Sequence, residues 1–157
     1  MTPAINAAKK LALKHQIHEY QHDISCASYG MEAAEKLGIP HGQVFKTLVV
    51  ALPDKALVVA VIPVASKLSM KLIAKAAGAK KAAMAEPAQV ARSTGYVLGG
   101  VSPLGQKKPL PTFIDSSAQQ QPSLLVSAGR RGLEIELSLV DLVGATQGMV
   151  TGLCLQS

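Results

Sequence analysis

The sequence has no tryptophan, only two phenylalanines and only two cysteines among its 157 residues. Because 48% of the residues are nonetheless hydrophobic, the core is expected to be aliphatic. Cys26 and Cys154 lie far apart and neither belongs to a CxxC pair, which argues against a disulfide framework and against a zinc site. No linker-like stretch divides the chain, whose length is typical of one domain. We therefore predict a single domain over residues 1–157 with no metal and no cofactor.

Long apolar runs are also missing. The longest, residues 56–62, is far shorter than the roughly 20 residues that a membrane-spanning helix needs. Lys9, Lys10 and Lys14 interrupt the apolar residues near the N-terminus, which therefore does not resemble a secretory signal. We expect a cytoplasmic protein without a membrane partner, although the absence of acids before Glu19 leaves a transit peptide open.

Acidic residues are scarce between Lys67 and Lys108. This segment has eight basic residues and one acid, Glu86, and so carries +7, whereas the rest of the chain carries −1. Such asymmetry favours a polyanionic partner, although a solvated basic face without a partner gives the same pattern. Lys71 and Lys75 lie one turn apart on a predicted helix, and Lys67 precedes them in line.

The hydrophobic periodicity changes repeatedly between helical and strand patterns, with more strands than helices. Helices are predicted over residues 3–15, 31–37, 70–77, 87–94 and 139–143. Strands are predicted over residues 17–23, 45–52, 56–62, 80–85, 112–115, 123–127, 133–137 and 149–155. The second and third strands flank a short turn and should form a hairpin. This order favours an α+β fold with a mixed, largely antiparallel sheet.

The loop of residues 99–105 contains Gly99, Gly100 and Gly105. Glycines allow the backbone to approach a ligand closely, so their N–H groups can face an anion or a developing oxyanion. A plain structural turn is the alternative. The spacing from Gly100 to Gly105 imitates a phosphate-binding P-loop, but Gln106 stands where that motif requires lysine, so ATP or GTP binding is rejected.

Lys46 stands at the start of a strongly apolar strand. A lysine in that position must extend to solvent, pair with an acid or face a functional cavity. In a cavity it could hold a phosphate or polarise a carbonyl group.

Other arrangements of reactive residues give weak signals. The four histidines have no partners at metal-ligand spacing and are interpreted as surface or packing residues, and no signature supports Cys26 as a nucleophile. Glu32 and Glu35 are expected to be solvated on a helix. Strand alternation places Glu134 and Glu136 on one face.

Five segments together resemble the YbaK/EbsC family of aminoacyl-tRNA deacylases. The resemblance covers about residues 1–143, and the order of the segments makes it more specific than any one motif. The segments are Met1–Ala4, Tyr29–Gly38, Val44–Leu48, Ser93–Lys108 and Val126–Glu134.

The resemblance implies a barrel-like mixed sheet with flanking helices and hydrolysis of the ester between an amino acid and the 3′ end of tRNA. It implies catalytic roles for Lys46, Gly99 and Gly100, with the thiol of a cysteinyl substrate as the attacking group. Tyr29 and Glu134 depart from the usual Phe and Asp, which leaves the amino-acid specificity less secure than the reaction. The substrate pocket is expected to contain Tyr20, Tyr29, Thr47, Val101, Ser102, Ser127 and Glu134. The residues expected to bind tRNA are Lys67, Lys71, Lys75, Lys107 and Lys108.

The hypothesis from the sequence is a trans-editing hydrolase of Cys-tRNA(Pro), which binds the acceptor end of tRNA(Pro) and could associate with prolyl-tRNA synthetase. A synthetase pocket that admits proline cannot reject a residue of similar size by more than about 10–200-fold, so a second sieve is needed. Three alternatives stay open: the same reaction on another substrate such as Ala-tRNA(Pro), a non-catalytic tRNA- or synthetase-binding module, and a small-anion-binding protein. The sequence does not determine the oligomeric state.

Overall fold

The computed structural model describes residues 1–25 and 29–156, and for Tyr29 the backbone only. Cys26 therefore lies outside the described residues. The helices are α1 (Pro3–Lys10), α2 (Tyr29–Leu37), α3 (Met70–Ala76), α4 (Pro87–Thr94) and α5 (Leu139–Thr146), with short 3-10 helices at His41–Gln43 and Ser116–Gln120. The strands are β1 (Gln16–Glu19), β2 (Phe45–Ala51), β3 (Leu57–Pro63), β4 (Ala83–Met84), β5 (Thr112–Asp115), β6 (Leu124–Arg130), β7 (Leu133–Leu137) and β8 (Met149–Thr151).

The strands form two sheets. The larger has the order β4-β2-β3-β5-β8, in which β5 runs parallel to both of its neighbours and the other pairings are antiparallel. The smaller, β1-β7-β6, is antiparallel throughout. The predicted α+β fold with a mixed, largely antiparallel sheet is thus confirmed, as is the β2–β3 hairpin.

Apolar side chains cover both faces of the larger sheet, which explains why β2 and β3 have continuous apolar sequences. Phe45 and Val61 belong to the main core, which also contains Ile135 of the smaller sheet. Ile62 belongs to a second cluster on the opposite face, together with Ile73 of α3. Residues in a strand alternate between faces, so the two clusters share the same strands.

The sheets meet near the start of β2, without closing into a barrel among the described residues. Val44 makes a parallel bridge to Leu125 of β6, and β4 pairs with β2 only at Val50 and Ala51. Between these two points the edge of β2 that faces away from β3 is left without a neighbouring strand in the described part of the chain. This gap positions the site described below.

The N-terminus is held by the end of β6. The Thr2 hydroxyl donates to the Ala128 carbonyl and also accepts from the Ile5 N–H at 3.2 Å, so the same oxygen begins α1. β1 then pairs with β7, with Gln16 opposite Glu136. These contacts bring the first twenty residues onto a hairpin that lies more than 100 residues later in the chain.

Several boundaries differ from the prediction because the chain turns earlier than the periodicity suggests. α1 ends at Lys10, followed by Ala12 in the left-handed region at φ 56°. β1 ends at Glu19, and the strand predicted over residues 80–85 is reduced to Ala83–Met84. By contrast, α4 begins at Pro87 and ends at Thr94 as predicted, and Gly95 caps it with a φ of 82° that suits glycine.

In the described residues, no helix combines the length and the apolar character needed to cross a membrane.

Candidate active site

A cavity of about 280 Å³ opens at the uncovered edge of β2. Strand β2, the β6–β7 hairpin, the start of α2 and the glycine loop all contribute to its wall. We call it the Lys46 cavity, and it is lined by Tyr20, Gly30, Phe45, Lys46, Thr47, Leu48, Val64, Leu98, Gly99, Val101, Ser127 and Glu134. It therefore brings together most of the residues that the sequence assigned to catalysis and to the substrate pocket.

Lys46 is half-buried and carries the cavity's positive charge. Within the described residues its ammonium pairs with no carboxylate. Burial lowers the pKa of Lys46, Cys154 opposes that shift, and the charge of Lys67 adds to it. An unneutralised cation at a cavity wall is electrostatically ready for an anionic group.

Glu134 supplies a carboxyl group on the β7 side of the cavity. Only 7% of the residue is exposed, and burial raises its pKa to about 8. The carboxyl does not lie within 4.0 Å of the Lys46 ammonium, so the two do not form an ion pair. At neutral pH the Glu134 carboxyl is therefore mostly protonated. A cationic group bound beside it would favour its ionised form.

Three more polar residues line the cavity, and they differ in the hydrogen bonds that they make. Thr47 Oγ1 is buried and has no hydrogen-bond partner among the described residues. Ser127 Oγ accepts from the Gly129 N–H at 3.1 Å, and the Tyr20 N–H donates to the Gly132 carbonyl at 3.0 Å. An unpaired buried hydroxyl is costly in a protein interior, so Thr47 favours a ligand with a polar group at that point.

The two glycines of the loop differ in what their amides can do. The Gly100 N–H donates to the Val97 carbonyl at 3.0 Å, closing a tight turn, whereas the Gly99 N–H has no protein acceptor among the described residues. Gly99 lines the cavity at φ 89°, a conformation that favours glycine. A Cβ on Gly100 would lie 2.9 Å from the Arg130 Cα. Gly100 therefore allows the loop to pack against β6, and Gly99 is the one that presents a free donor.

Ser102 is not brought to the cavity. It is fully buried, its hydroxyl accepts from the Leu104 N–H at 3.2 Å, and its carbonyl accepts from Gln106 Nε2 at 2.9 Å. The Tyr96 hydroxyl donates to the Leu104 carbonyl at 2.6 Å in the same turn. These bonds make Ser102 part of the loop's framework. Tyr29 begins α2, and its side chain lies outside the described part of the structure.

Glu32 was expected to be solvated, and this prediction is wrong: the residue is 3% exposed. Its carboxylate bonds His22 Nδ1 at 2.7 Å, the Asp23 N–H at 2.7 Å and Lys36 Nζ at 3.0 Å. Burial favours a higher pKa, but these bonds prevail and lower it to about 2. The i, i+4 spacing of Glu32 and Lys36 was the available sequence signal, whereas the contact with His22 depends on the tertiary fold.

The predicted tRNA-binding lysines lie in two exposed groups. Lys71 and Lys75 are on α3, and Lys67, which precedes that helix, is close enough to Lys46 to influence its pKa. Lys107 and Lys108 follow the glycine loop, and their N–H groups donate to the carbonyls of Thr94 and Ser93. The basic segment thus supplies exposed cations near Lys46 and at the end of the glycine loop.

No cluster of metal-ligating side chains occurs in residues 1–25 and 29–156. His18 Nε2 bonds Glu136 at 2.7 Å and His22 bonds Glu32, so two of the four histidines form hydrogen bonds with carboxylates.

Comparison with known proteins gives consistent results. The family model of the aminoacyl-tRNA editing domain matches residues 25–145. A protein of Enterococcus faecalis, EbsC, which is named as a Cys-tRNA(Pro)/Cys-tRNA(Cys) deacylase, is 38% identical over 144 residues, which are 90% of this chain and 88% of that protein. Two solved structures have the same fold. One, described as a trans-editing enzyme for prolyl-tRNA synthetase, has a TM-score of 0.86 at 22% identity and covers 98% of this chain and 96% of its own. The other, a designed epitope scaffold, has a TM-score of 0.88 at 20% identity, with 99% and 96% covered.

Proposed function

We propose that this chain, which belongs to the aminoacyl-tRNA editing domain family, hydrolyses the ester that joins a mischarged amino acid to the 3′ end of tRNA. The observation that carries the proposal is the Lys46 cavity, which is lined by both an unpaired cation and a buried, protonated carboxyl. In an aminoacyl-tRNA, the ester lies between the anionic phosphodiester of the terminal nucleotide and the cationic amino group of the amino acid. The two polar groups of the cavity suit these two ends.

We assign Cys-tRNA(Pro) as the substrate. The support is the deacylase of Enterococcus faecalis, which carries that activity in its name and is 38% identical over nearly the whole chain. The physical need is a second sieve, because size exclusion alone discriminates weakly between similar amino acids.

In this proposal the attacking group belongs to the substrate. The thiol sulfur of the bound cysteine attacks its own ester carbonyl carbon and forms the C–S bond of a tetrahedral intermediate, which collapses by breaking the C–O bond to the ribose. The thiol proton passes to the departing ribose oxygen. Water then opens the cyclic thioester and releases cysteine.

Lys46 and Gly99 stabilise negative charge in this scheme. The Lys46 ammonium holds the terminal phosphodiester or the carbonyl oxygen, and the Gly99 N–H donates to the oxyanion as the tetrahedral intermediate forms. Donors fixed before the reaction need not reorganise when the charge develops. The Gly100 N–H is engaged by Val97, so its role is to shape the turn.

Glu134 recognises the α-amino group. The entering ammonium group favours the ionised carboxyl, which releases its proton to solvent water and pairs with the substrate. Tyr20, Thr47 and Ser127 complete the pocket, and the Thr47 hydroxyl gains the partner that it lacks within the described protein.

The tRNA acceptor end approaches across the basic segment. Lys67, Lys71 and Lys75 hold phosphates along α3 and the residues before it, and Lys107 and Lys108 hold phosphates at the end of the glycine loop. We place the protein in the cytoplasm, where charged tRNA is used, with prolyl-tRNA synthetase as a transient partner that supplies the mischarged product.

The first prediction tests the site and the substrate together. Lys46→Ala should lower kcat/KM for Cys-tRNA(Pro) by about 100-fold or more, since removing one fixed donor to a developing oxyanion typically costs that much. Lys10→Ala, which changes an exposed lysine of α1, is the matched control and should act as the wild type does.

Both variants and the wild type are assayed on Cys-, Ser-, Ala- and Pro-tRNA(Pro), with and without prolyl-tRNA synthetase. Ser-tRNA(Pro) is the sharpest comparison, because it replaces only the sulfur by oxygen. Equal rates on all four substrates would contradict the thiol-assisted mechanism. Full activity of Lys46→Ala would show that the assigned role is wrong.

A further inference from the structure

Two adjacent aliphatic side chains stand exposed at the mouth of the Lys46 cavity. Val97 is 71% exposed and Leu98 is 52% exposed, although their neighbours Tyr96 and Val101 are buried. Leu98 lines the cavity itself. Single exposed aliphatic residues are ordinary on protein surfaces. A pair that continues from the cavity wall onto the surface is a different arrangement, because it joins the apolar lining of the cavity to an exposed apolar surface.

The turn that carries the pair is fixed at both ends. Before it, the Tyr96 hydroxyl donates to the Leu104 carbonyl at 2.6 Å and its N–H donates to Thr94 Oγ1 at 3.1 Å. After it, the Gly100 N–H donates to the Val97 carbonyl, and Gly100 packs so closely on the Arg130 backbone that no side chain fits there. The two side chains are thus presented outward on a framework that is already ordered, which lowers the entropic cost of binding.

The charge around the pair identifies the kind of partner. The Lys107 N–H donates to the Thr94 carbonyl at 2.9 Å, which places this exposed lysine beside the start of the turn. On the cavity side lies Lys46. An apolar pair between cations suits a partner with apolar faces joined by negative charges, and a single-stranded nucleic-acid end has this chemistry.

We propose that Val97 and Leu98 form a platform for the last two nucleobases of the tRNA 3′ end. Leu98 packs against the base of the terminal adenosine, whose ribose carries the ester into the cavity, and Val97 packs against the base before it. The proposal deepens the proposed function and rests on it for the orientation of the RNA. It assigns these side chains to base contact and leaves the phosphates to the lysines.

The test uses an uncharged RNA hairpin that ends in single-stranded CCA, with a fluorophore in its loop, and measures affinity by anisotropy at several salt concentrations. Val97→Ser and Leu98→Ser should each weaken binding by about tenfold, as expected for removing one largely covered aliphatic side chain. The slope of log affinity against log salt should stay unchanged, because no phosphate contact is lost. Val140→Ser, at a residue that is 80% exposed on α5, is the matched control and should bind as the wild type does.

A second RNA, with an abasic 3′-terminal nucleotide, keeps every phosphate and removes only the base. The wild type should bind this RNA about tenfold more weakly than the intact one, whereas Leu98→Ser should bind both equally, because the contact is already gone. Additive losses would mean that Leu98 and the terminal base do not touch, and would overturn the proposal. So would unchanged RNA binding by both serine variants, including the case in which they lose binding to prolyl-tRNA synthetase instead.

This outcome is separate from that of the proposed function, because uncharged RNA is bound and not hydrolysed. If the wild type releases no amino acid from any tRNA but shows the coupling between Leu98 and the terminal base, the platform is supported and the deacylase function is wrong. If the wild type hydrolyses Cys-tRNA(Pro) but shows no such coupling, the deacylase function is supported and the platform is wrong.

Discussion

A single residue, Glu134, should make the free energy of unfolding depend on pH. Its pKa is about 8 in the folded protein and near 4.5 in the unfolded chain, so the folded state holds the proton more tightly. The stabilisation from this proton is complete below pH 4.5 and is lost as pH rises towards 8. Glu134→Gln should therefore gain stability relative to the wild type between pH 5 and pH 8, by about 3 kcal/mol.

Urea unfolding at pH 5, 6, 7 and 8 measures this second prediction. Glu136→Gln is the matched control on the same strand, because hydrogen bonds from Ser123 and His18 lower the pKa of Glu136 despite its partial burial. The pKa of Glu136 is lowered from 4.5, so its difference from the wild type should change much less over the same range than that of Glu134→Gln. A difference between Glu134→Gln and the wild type that does not change with pH would contradict the assigned protonation.

Some residues of the site could be predicted from the sequence, whereas the hydrogen bonds that decide their roles could not. Lys46, Gly99 and Glu134 could be singled out from their positions in apolar or glycine-rich segments and from the family resemblance. The different fates of the Gly99 and Gly100 amides could not, because the acceptor of the Gly100 N–H is set by the shape of the turn. Ser102 lies in a motif but is fully buried, and only the folded loop shows that its polar atoms are already used.

At the scale of elements, Glu32 joins α2 to the segment that follows β1. Its carboxylate binds His22 and the Asp23 N–H, Arg131 Nη1 lies 3.3 Å from His22 Nε2, and Gly30 at the start of the same helix lines the cavity. Glu32→Gln should lower the free energy of unfolding at pH 7 by about 1–3 kcal/mol, because a nearly buried charge-assisted network loses its charge. Glu35→Gln, on the exposed side of the same helix, should stay within about 0.5 kcal/mol of the wild type.

Denaturant unfolding at pH 7 and pH 3 checks this third prediction. The pKa of Glu32 is about 2, well below its value of 4.5 in the unfolded chain, so its contribution is present above pH 4.5 and declines as pH falls towards 2. The gap between wild type and Glu32→Gln should accordingly be smaller at pH 3. Equal effects of the Glu32 and Glu35 substitutions would contradict the network.

The elements themselves were largely predictable, because α4, β5 and β7 are bounded by residues with strong local preferences such as Pro87 and Gly95. The pairing of β1 with β7 was not, since no local pattern specifies a partner about 120 residues away. The end of α1 was missed for a similar reason: Leu11 and Ala12 continue the apolar spacing, but the chain turns at Ala12 to reach β1.

At the scale of the whole molecule, charge distribution should control RNA affinity. The chain carries +6, yet residues 67–108 alone carry +7. The combined Lys67→Ala, Lys71→Ala and Lys75→Ala variant should bind the CCA-ended RNA hairpin more weakly and reduce the slope of log affinity against log salt by about 3, roughly one per lost phosphate contact.

The control for this fourth prediction changes Lys9, Lys10 and Lys14 to alanine, which removes the same net charge from a different surface. Fluorescence anisotropy from 25 to about 300 mM salt, a range over which such contacts weaken strongly, would compare the two variants. If net charge alone governs binding, both triple variants will reduce the slope of log affinity against log salt by the same amount. The assignment of the tRNA path to α3 will then be wrong.

The attachment of the N-terminus to the end of β6 has a consequence for how the protein is made. Strand β1 leaves the ribosome more than 100 residues before β7, the strand that carries Glu134, and β7 is the only partner of β1 among the described strands. The β2–β3 hairpin can form during synthesis, whereas the smaller sheet must wait until β7 has emerged. A ribosome stalled before that point holds a nascent chain with no complete cavity, so this protein begins to edit only after β7 has been synthesised.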